Sequence, residues 1–192
     1  MSAIALVGFA LFAGPAAYQI EPAEHTQITL EVYKTGLMSG KTHHFEFARY
    51  HGTLWFDSES PDRSKVDLTI EVDSIECKDS WINEKDQRKV TEAARDKNML
   101  DVEHFPEMRF VSKRINPKGR DAFEVEGLLS IRETPKPVTI QVELKREGAR
   151  VRLTGEAEVK LSDYDLKPPT ALLGAAGTKD EMKVQFNVVA ER

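Results

Sequence analysis

The residues Val66–Val72 constrain the fold of this chain most strongly, because apolar and polar side chains alternate along them without a break. A period of two places every apolar side chain on one face of an extended strand, with the polar side chains on the other face. One such strand cannot bury its apolar face alone, so a set of six predicts an all-β domain, either a barrel or a sandwich. The same alternation recurs in five further segments: 28–32, 123–131, 138–144, 151–161 and 182–190.

The size and charge of the chain fit one domain of this kind. The 192 residues include 40% hydrophobic residues, which is enough for a substantial core. Lys and Arg number 27 against 32 Asp and Glu, so the net charge is −5. This balance provides no basic field that would attract nucleic acid, and we expect no nucleic-acid partner.

The single cysteine, Cys77, excludes an intrachain disulfide. Cys77 lacks the Cys and His company that a metal site requires, and a nucleophile would require a base that the sequence does not locate. Cys77 is therefore interpreted as a structural thiol.

The N-terminus resembles an export signal. Residues 3–13 carry no charge, and the run is too short for a membrane-spanning helix. Small residues follow at 14–17, which is typical of a cleavage site after Ala16. We therefore expect a signal peptide at 1–16, a mature domain at 17–192 and a periplasmic location. No Lys or Arg precedes the apolar run, so the signal is weak, and a buried first strand is the alternative.

One helix is expected. Residues 83–98 are mostly good helix formers and contain neither Gly nor Pro. Val90, Ala93, Ala94 and Met99 form a narrow apolar stripe, which predicts a mostly exposed helix on or across one barrel end. Extended structure is expected again over 100–112, with Pro106 opening a strand.

Motifs in a fixed order along the chain resemble the YceI-like family of lipocalin-like bacterial proteins that bind polyisoprenoid lipids. The resemblance implies a single extended eight-stranded antiparallel lipocalin-like barrel, with a helical insertion near 83–98 and an apolar lumen that holds an isoprenoid chain. The motifs are Pro-x-x-His-Thr (22–26), Gly-x-Leu-x-Phe-Asp (52–57), Val-Asp-Ser-Ile-Glu (72–76), Leu-Asp-Val-Glu-His-Phe-Pro-Glu-Met-Arg-Phe-Val-Ser (100–112), Gly-Leu-Leu-Ser-Ile-Arg (127–132), Pro-Lys-Pro-Val (135–138) and Leu-Ser-Asp-Tyr-Asp-Leu (161–166).

Strand alternation predicts which side chains line the lumen. The assignment depends on register, since a slip of one residue would turn a strand inside out. Burial of an apolar chain in such a lumen is favourable by ~0.8 kcal/mol per CH₂, without any specific polar contact. The predicted lumen residues are Leu30, Val32, Phe47, Leu54, Phe56, Leu68, Ile70, Phe110, Val125, Leu129, Ile140, Val142, Leu153 and Phe186.

The histidines do not predict a metal site. His43 and His44 are adjacent on an expected strand, so their side chains point to opposite faces. A zinc site needs three or four converging ligands, and none is predicted. The sequence also lacks Gly-x-Ser-x-Gly, a phosphate-binding glycine loop and His-Glu-x-x-His, so neither enzyme activity nor a cofactor is expected.

The hypothesis is an exported binding protein that holds or carries an isoprenoid lipid, either a quinone side chain or a polyprenyl chain. The alternative is an envelope stress-response or interaction protein whose barrel is filled by its own side chains. An enzyme on the same scaffold would require carboxylates or histidines inside the cavity. The expected partner is the lipid, and both a homodimer and transient contacts with the membrane or envelope proteins stay open.

Overall fold

The computed structural model describes residues 15–171 and 174–192 and consists mainly of antiparallel strands. The strands are β1 (Ala16–Glu21), β2 (Gln27–Gly36), β3 (Thr42–Phe47), β4 (Tyr50–Phe56), β5 (Lys65–Glu71), β6 (Ile75–Cys77), β7 (Glu107–Pro117), β8 (Ala122–Ile131), β9 (Thr134–Glu147), β10 (Arg150–Lys160), β11 (Thr170–Ala171) and β12 (Ala176–Glu191). Helix α1 spans Glu84–Arg95, and short 3₁₀ turns cover Pro61–Arg63, Val72–Ser74 and Leu161–Tyr164.

The sheet closes into a barrel. The strand order β1-β4-β5-β7-β8-β9-β10-β12 returns to its start because β12 also pairs with β1, with Gln19 opposite Glu191. Three further strands extend the barrel wall at one end: the 10-residue β2 pairs with β12 beyond β1, β3 pairs with β2, and the three-residue β6 pairs with β3. The predicted eight-stranded antiparallel barrel is confirmed, and the sandwich is excluded.

The two barrel ends are built from different connections. The upper end carries the loop 57–64, the turn 118–121 and the start of β1. The lower end carries the β8–β9 turn at 132–133 and the segments 161–171 and 174–175. Apolar alternation fixes the register between them, since inward residues pair with inward residues, as Val125 does with Ile140.

Two predicted strand boundaries were wrong. Extended structure was expected over 100–112, but β7 begins only at Glu107, because residues 101–104 form a turn in which Asp101 has φ of 49°. Strand β9 begins at Thr134, four residues before the predicted start at 138. Pro135 and Pro137 are exposed within it, and a proline is tolerated at a strand edge that has no partner to bond.

Helix α1 confirms the predicted helix, with 12 residues in about three turns. The Asn83 side chain accepts a hydrogen bond from Asp86 N at 3.0 Å, which caps the first turn. Val90 and Ala94 of the predicted stripe pack against the core, whereas Ala93 is exposed. Met99 lies beyond the helix and is partly buried.

The polar face of α1 covers the free edge of β6, which the sequence did not predict. Gln87, Thr91 and Arg95 bond the backbone of Asp79, Cys77 and Ile75 in turn. Four helical residues rise about 6 Å and two strand residues about 6.6 Å, so the two repeats match along this edge.

Strand β1 begins at Ala16, which pairs with Phe56. Apart from its last two residues, the predicted signal peptide at 1–16 lies outside the described residues. Within the described part of the chain, no helix is long and apolar enough to cross a bilayer.

Candidate functional site

An apolar cavity occupies the barrel lumen. It comprises about 1030 Å³ of space free of protein atoms, part of which is open to solvent. Ser64 contributes the one polar side chain among the described residues that line it. The lining includes no His, Asp or Glu from the described part of the chain. Its chemistry therefore suits a hydrocarbon ligand and provides no group for acid or base catalysis.

Most of the predicted lumen residues line this cavity. Leu30, Val32 and Phe47 do not: Val32 and Phe47 are buried in the hydrophobic core, and Leu30 is partly buried against it. The predicted residues that do line the cavity are Leu54, Phe56, Leu68, Ile70, Phe110, Val125, Leu129, Ile140, Val142, Leu153 and Phe186.

The prediction missed several lining residues, some of which the pattern could have identified and one of which it could not. Phe123, Val138 and Val184 lie on the same strand faces as predicted residues, so the alternation itself could have identified them. Ile115 is different, because a register shift between Ser112 and Arg114 breaks the alternation after Phe110. A bulge of this kind changes the face that follows it and is not visible in a strict period of two.

Two inward-facing glycines hold aromatic rings against the wall. A methyl group added at Gly127 would lie 2.4 Å from Phe110 Cε2, and one at Gly155 would lie 2.6 Å from Phe186 Cζ. Each ring therefore lies directly across a glycine of a neighbouring strand. This arrangement, in which an aromatic side chain covers a strand glycine, keeps bulky residues near the wall.

The upper end of the cavity is closed by the loop 57–64. Pro61 and Ser64 of this loop line the cavity. Asp57 Oδ1 accepts hydrogen bonds from Glu59 N and Ser60 N at 3.0 Å each, and Ser64 Oγ accepts one from Asp57 N at 3.0 Å. These local bonds satisfy the backbone of the loop and fix it over the lumen.

The lower half has an opening between β9 and β10, here called the lateral gap. The ladder between the two strands ends at the pair Gln141 and Glu156. Below this pair, residues 134–140 of β9 pair only with β8, and residues 157–160 of β10 pair only with β12. The structure describes every residue of both ranges. Cavity residues beside the gap, such as Ile140, are partly exposed, whereas those higher up, such as Leu153, are buried.

A polar cluster lies outside the cavity, next to β6. Asp79 is 0% exposed, and its carboxylate lies 2.5 Å from His43 Nδ1 and accepts a hydrogen bond from His44 N at 2.7 Å. Trp81 stacks on His43 with ring centroids 5.4 Å apart and donates to Thr42 O at 3.0 Å. Trp81 thus joins β3 to the segment that enters the helix.

Cys77 belongs to the same cluster, so the statement that it lacks histidine company was wrong. Ligand atoms of His43, Cys77 and Asp79 lie within 4.8 Å of one another. Burial raises the pKa of the Cys77 thiol to about 11, and the negative charge of Asp79 adds to this effect while a backbone hydrogen bond at Asp79 opposes it. Without a metal ion, a thiol this basic stays protonated at neutral pH. The cluster works as a buried hydrogen-bond network, and the absence of a metal stays a prediction.

The remaining histidines are at the surface. His44 is exposed and points away from His43, as their adjacency on β3 predicted, with His44 Nδ1 3.8 Å from Glu31. His25, His51 and His104 are also exposed. A hydrogen bond to Asp101, with its negative charge, raises the pKa of His104.

Known proteins share this fold. Proteins called YceI from Salmonella arizonae and Salmonella paratyphi B are each 27% identical over 152 residues, which cover 76% of this chain and 73% of theirs. The crystal structure of BcnA from Burkholderia cenocepacia matches with a TM-score of 0.70 at 20% identity, over 85% of this chain and 95% of that one. The Campylobacter jejuni YceI protein matches with a TM-score of 0.63 at 17% identity, over 77% and 84%.

At these identities the two structures show a common fold alone. The sequence match to the family is broader, because the model of the YceI-like domain covers residues 18–190. That range runs from β1 to the end of β12 and contains every strand of the closed barrel. The resemblance found in the motifs is confirmed, and the chain belongs to the YceI-like family.

Proposed function

We propose that this protein binds and carries an isoprenoid lipid, either a quinone side chain or a polyprenyl chain, in the barrel cavity. The observation that carries the proposal is the cavity lining, which among the described residues is apolar except for Ser64, around a space of about 1030 Å³ that is partly open to solvent. Each CH₂ group that leaves water for such a lining contributes roughly 0.8 kcal/mol. A long hydrocarbon chain can therefore bind without specific polar contacts.

The shape of the cavity supports a slender ligand. Eight-stranded barrels have room for their own side chains or for one small ligand. Here the rings of Phe110 and Phe186 lie against the wall over Gly127 and Gly155, which leaves the centre of the lumen free. This free space favours the binding proposal over the alternative of a barrel filled by its own side chains.

Export to the periplasm is part of the proposal. The apolar run at 3–13 followed by small residues supports it, and β1 begins at the expected cleavage site. Cleavage after Ala16 would remove one β1 residue and leave the pairs from Ala17 to Ile20 with β4 in place. The mature barrel would therefore remain closed.

Two neighbouring leucines of β8 provide a matched test. Leu129 lines the cavity and Leu128 lies on the outer face, and both are half-buried. The full chain is titrated with geranylgeraniol, and native mass spectrometry measures the fraction of protein in the complex. Leu129→Glu should weaken binding at least tenfold, because the carboxylate enters the hydrocarbon site, whereas Leu128→Glu should bind as the wild type does.

Circular dichroism establishes that both variants fold. A folded Leu129→Glu protein with wild-type affinity would show that the ligand lies elsewhere. A wild-type protein that forms no complex with geranylgeraniol would refute the proposed function itself.

A further inference from the structure

We infer that the lipid enters and leaves the barrel sideways, through the lateral gap between β9 and β10, and leaves its polar end in the groove outside that gap. This inference rests on the proposed function. It names the route to the cavity, which an apolar lining alone does not specify.

Two prolines of β9 lie at the lower end of the gap. The N–H of Leu144 bonds Asp121 O, beside the start of β8, at 2.8 Å. Backbone groups of successive strand residues point to alternate sides, so the backbones of Pro135 and Pro137 face the opposite side, towards β10. A proline has no N–H to donate, so Pro137, which would stand opposite Lys160, cannot bond β10. The ladder already ends above the prolines, at Gln141 and Glu156, and Pro137 keeps it from resuming at the end of β10.

The small side chain of Ala157 connects the cavity with the outside. Ala157 lines the lumen and also borders a groove on the outer surface, next to Thr139 and Glu158. If the ladder continued in register, Ala157 would stand opposite Ile140, and both residues are partly exposed. A hydrocarbon chain that passes here meets apolar side chains on both sides.

The outer groove suits a polar lipid end. Lys183 pairs with Glu156 at 2.7 Å, and Lys179 lies 5.6 Å from the centroid of the Tyr33 ring. These ammonium and carboxylate groups stay in water while the chain is buried. A head group with hydroxyl, carbonyl or phosphate oxygens would find donors here.

The two barrel ends are better covered than the gap. The upper end is closed by the loop 57–64 described above. At the lower end, Leu161 and Tyr164 of the 3₁₀ turn are buried, and the Tyr164 hydroxyl donates to Leu129 O at 3.3 Å. Passage through either end would break packed contacts, whereas the gap has no ladder bonds to break.

A cross-link across the gap tests the route. Thr139→Cys with Glu158→Cys places two exposed thiols on facing edges of the gap. The matched control is Glu143→Cys with Thr154→Cys, a pair four residues higher on each strand whose backbones are already bonded. Cys77 is buried and remains in both proteins. Oxidised glutathione is used to form the disulfides. Where the two thiols are too far apart for a disulfide, a bismaleimide links them instead. The mass of the intact protein verifies the cross-link.

The readout is the rate at which an anthraniloyl-labelled geranylgeraniol enters and leaves the protein, followed by fluorescence. Cross-linking the gap should slow both rates at least tenfold, reduction of the disulfide should restore them, and the control pair should exchange at the wild-type rate. Wild-type rates in the cross-linked gap protein would overturn the lateral route and leave the binding proposal intact. A wild-type protein that takes up no probe would instead overturn the proposed function, and the route with it.

Discussion

Leu68→Trp should shorten the lipid site from within. Leu68 is the middle one of the three β5 residues that line the cavity, between Val66 and Ile70, and it is partly exposed to the lumen. Its strand neighbours are Gly52 on β4 and Phe110 on β7. An indole at this position extends into the empty centre of the barrel, where there is room for it, so we expect the fold to persist.

The cavity length gives the size of the effect. The seven residues of β9 from Val138 to Leu144 are six steps apart and span about 20 Å, and a strand tilt of about 40° reduces this to roughly 15 Å along the barrel axis. An extended isoprene unit, four bonds of about 1.5 Å in zigzag, is about 5 Å long, so three to four units fit. A block halfway would exclude about two units, or ~10 carbons, with a gross burial term of up to ~8 kcal/mol. Ordering costs reduce the net effect, and we expect at least a 100-fold loss, about 2.7 kcal/mol.

Fluorescence titration with the labelled geranylgeraniol measures this loss. Geraniol, with two units, should bind the variant and the wild type alike, because it fits beside the block. Leu128→Trp adds the same ring to the outer face and should leave both affinities unchanged. A folded Leu68→Trp protein that binds the four-unit ligand with wild-type affinity would refute the placement of the ligand in the lumen.

Three further predictions concern the buried polar groups. Asp79→Ala should lower the free energy of unfolding by about 3–5 kcal/mol in urea titrations, because it removes the acceptor of His44 N and the partner of His43; a loss below about 1 kcal/mol would contradict this. Cys77, which is 4% exposed, should not react with a disulfide reagent at pH 8 until the protein unfolds, and rapid labelling of the native protein would count against its burial. Burial raises the pKa of Cys77 to about 11 and that of Tyr164 to about 12, from ordinary values of 9.0 and 10.0. The unfolded thiol and phenol ionise first, so stability should hold below about pH 9 and fall as pH rises to about 12, by roughly 1.4 kcal/mol per pH unit for each group. The melting temperature, measured as a function of pH, follows this loss of stability. In Tyr164→Phe it should fall less steeply at the upper end of the pH range.

The sequence predicted the barrel wall well where apolar alternation runs unbroken. On β5 and β8 the inward residues Leu68, Ile70, Val125 and Leu129 all line the cavity. Alternation identifies the inner face but not what lies in front of it. Val32 and Phe47 are buried in the core but do not line the cavity.

Features that depend on contacts distant in sequence escaped prediction. Asp79 and His43 are 36 residues apart, and only the pairing of β3 with β6 brings Cys77 to them. The lateral gap was missed for a related reason. The strand was expected to begin at 138, whereas β9 includes Pro135 and Pro137 and pairs with β8 along its whole length, but with β10 only from Gln141 upwards.

Native mass spectrometry of the protein, purified without detergent from the envelope of the cells that make it, tests the central claim most directly. The account predicts an adduct of discrete mass, one per chain, that extracts into organic solvent as an isoprenoid. A mass equal to that of the bare polypeptide, together with no adduct after addition of geranylgeraniol or an isoprenoid quinone, would contradict it.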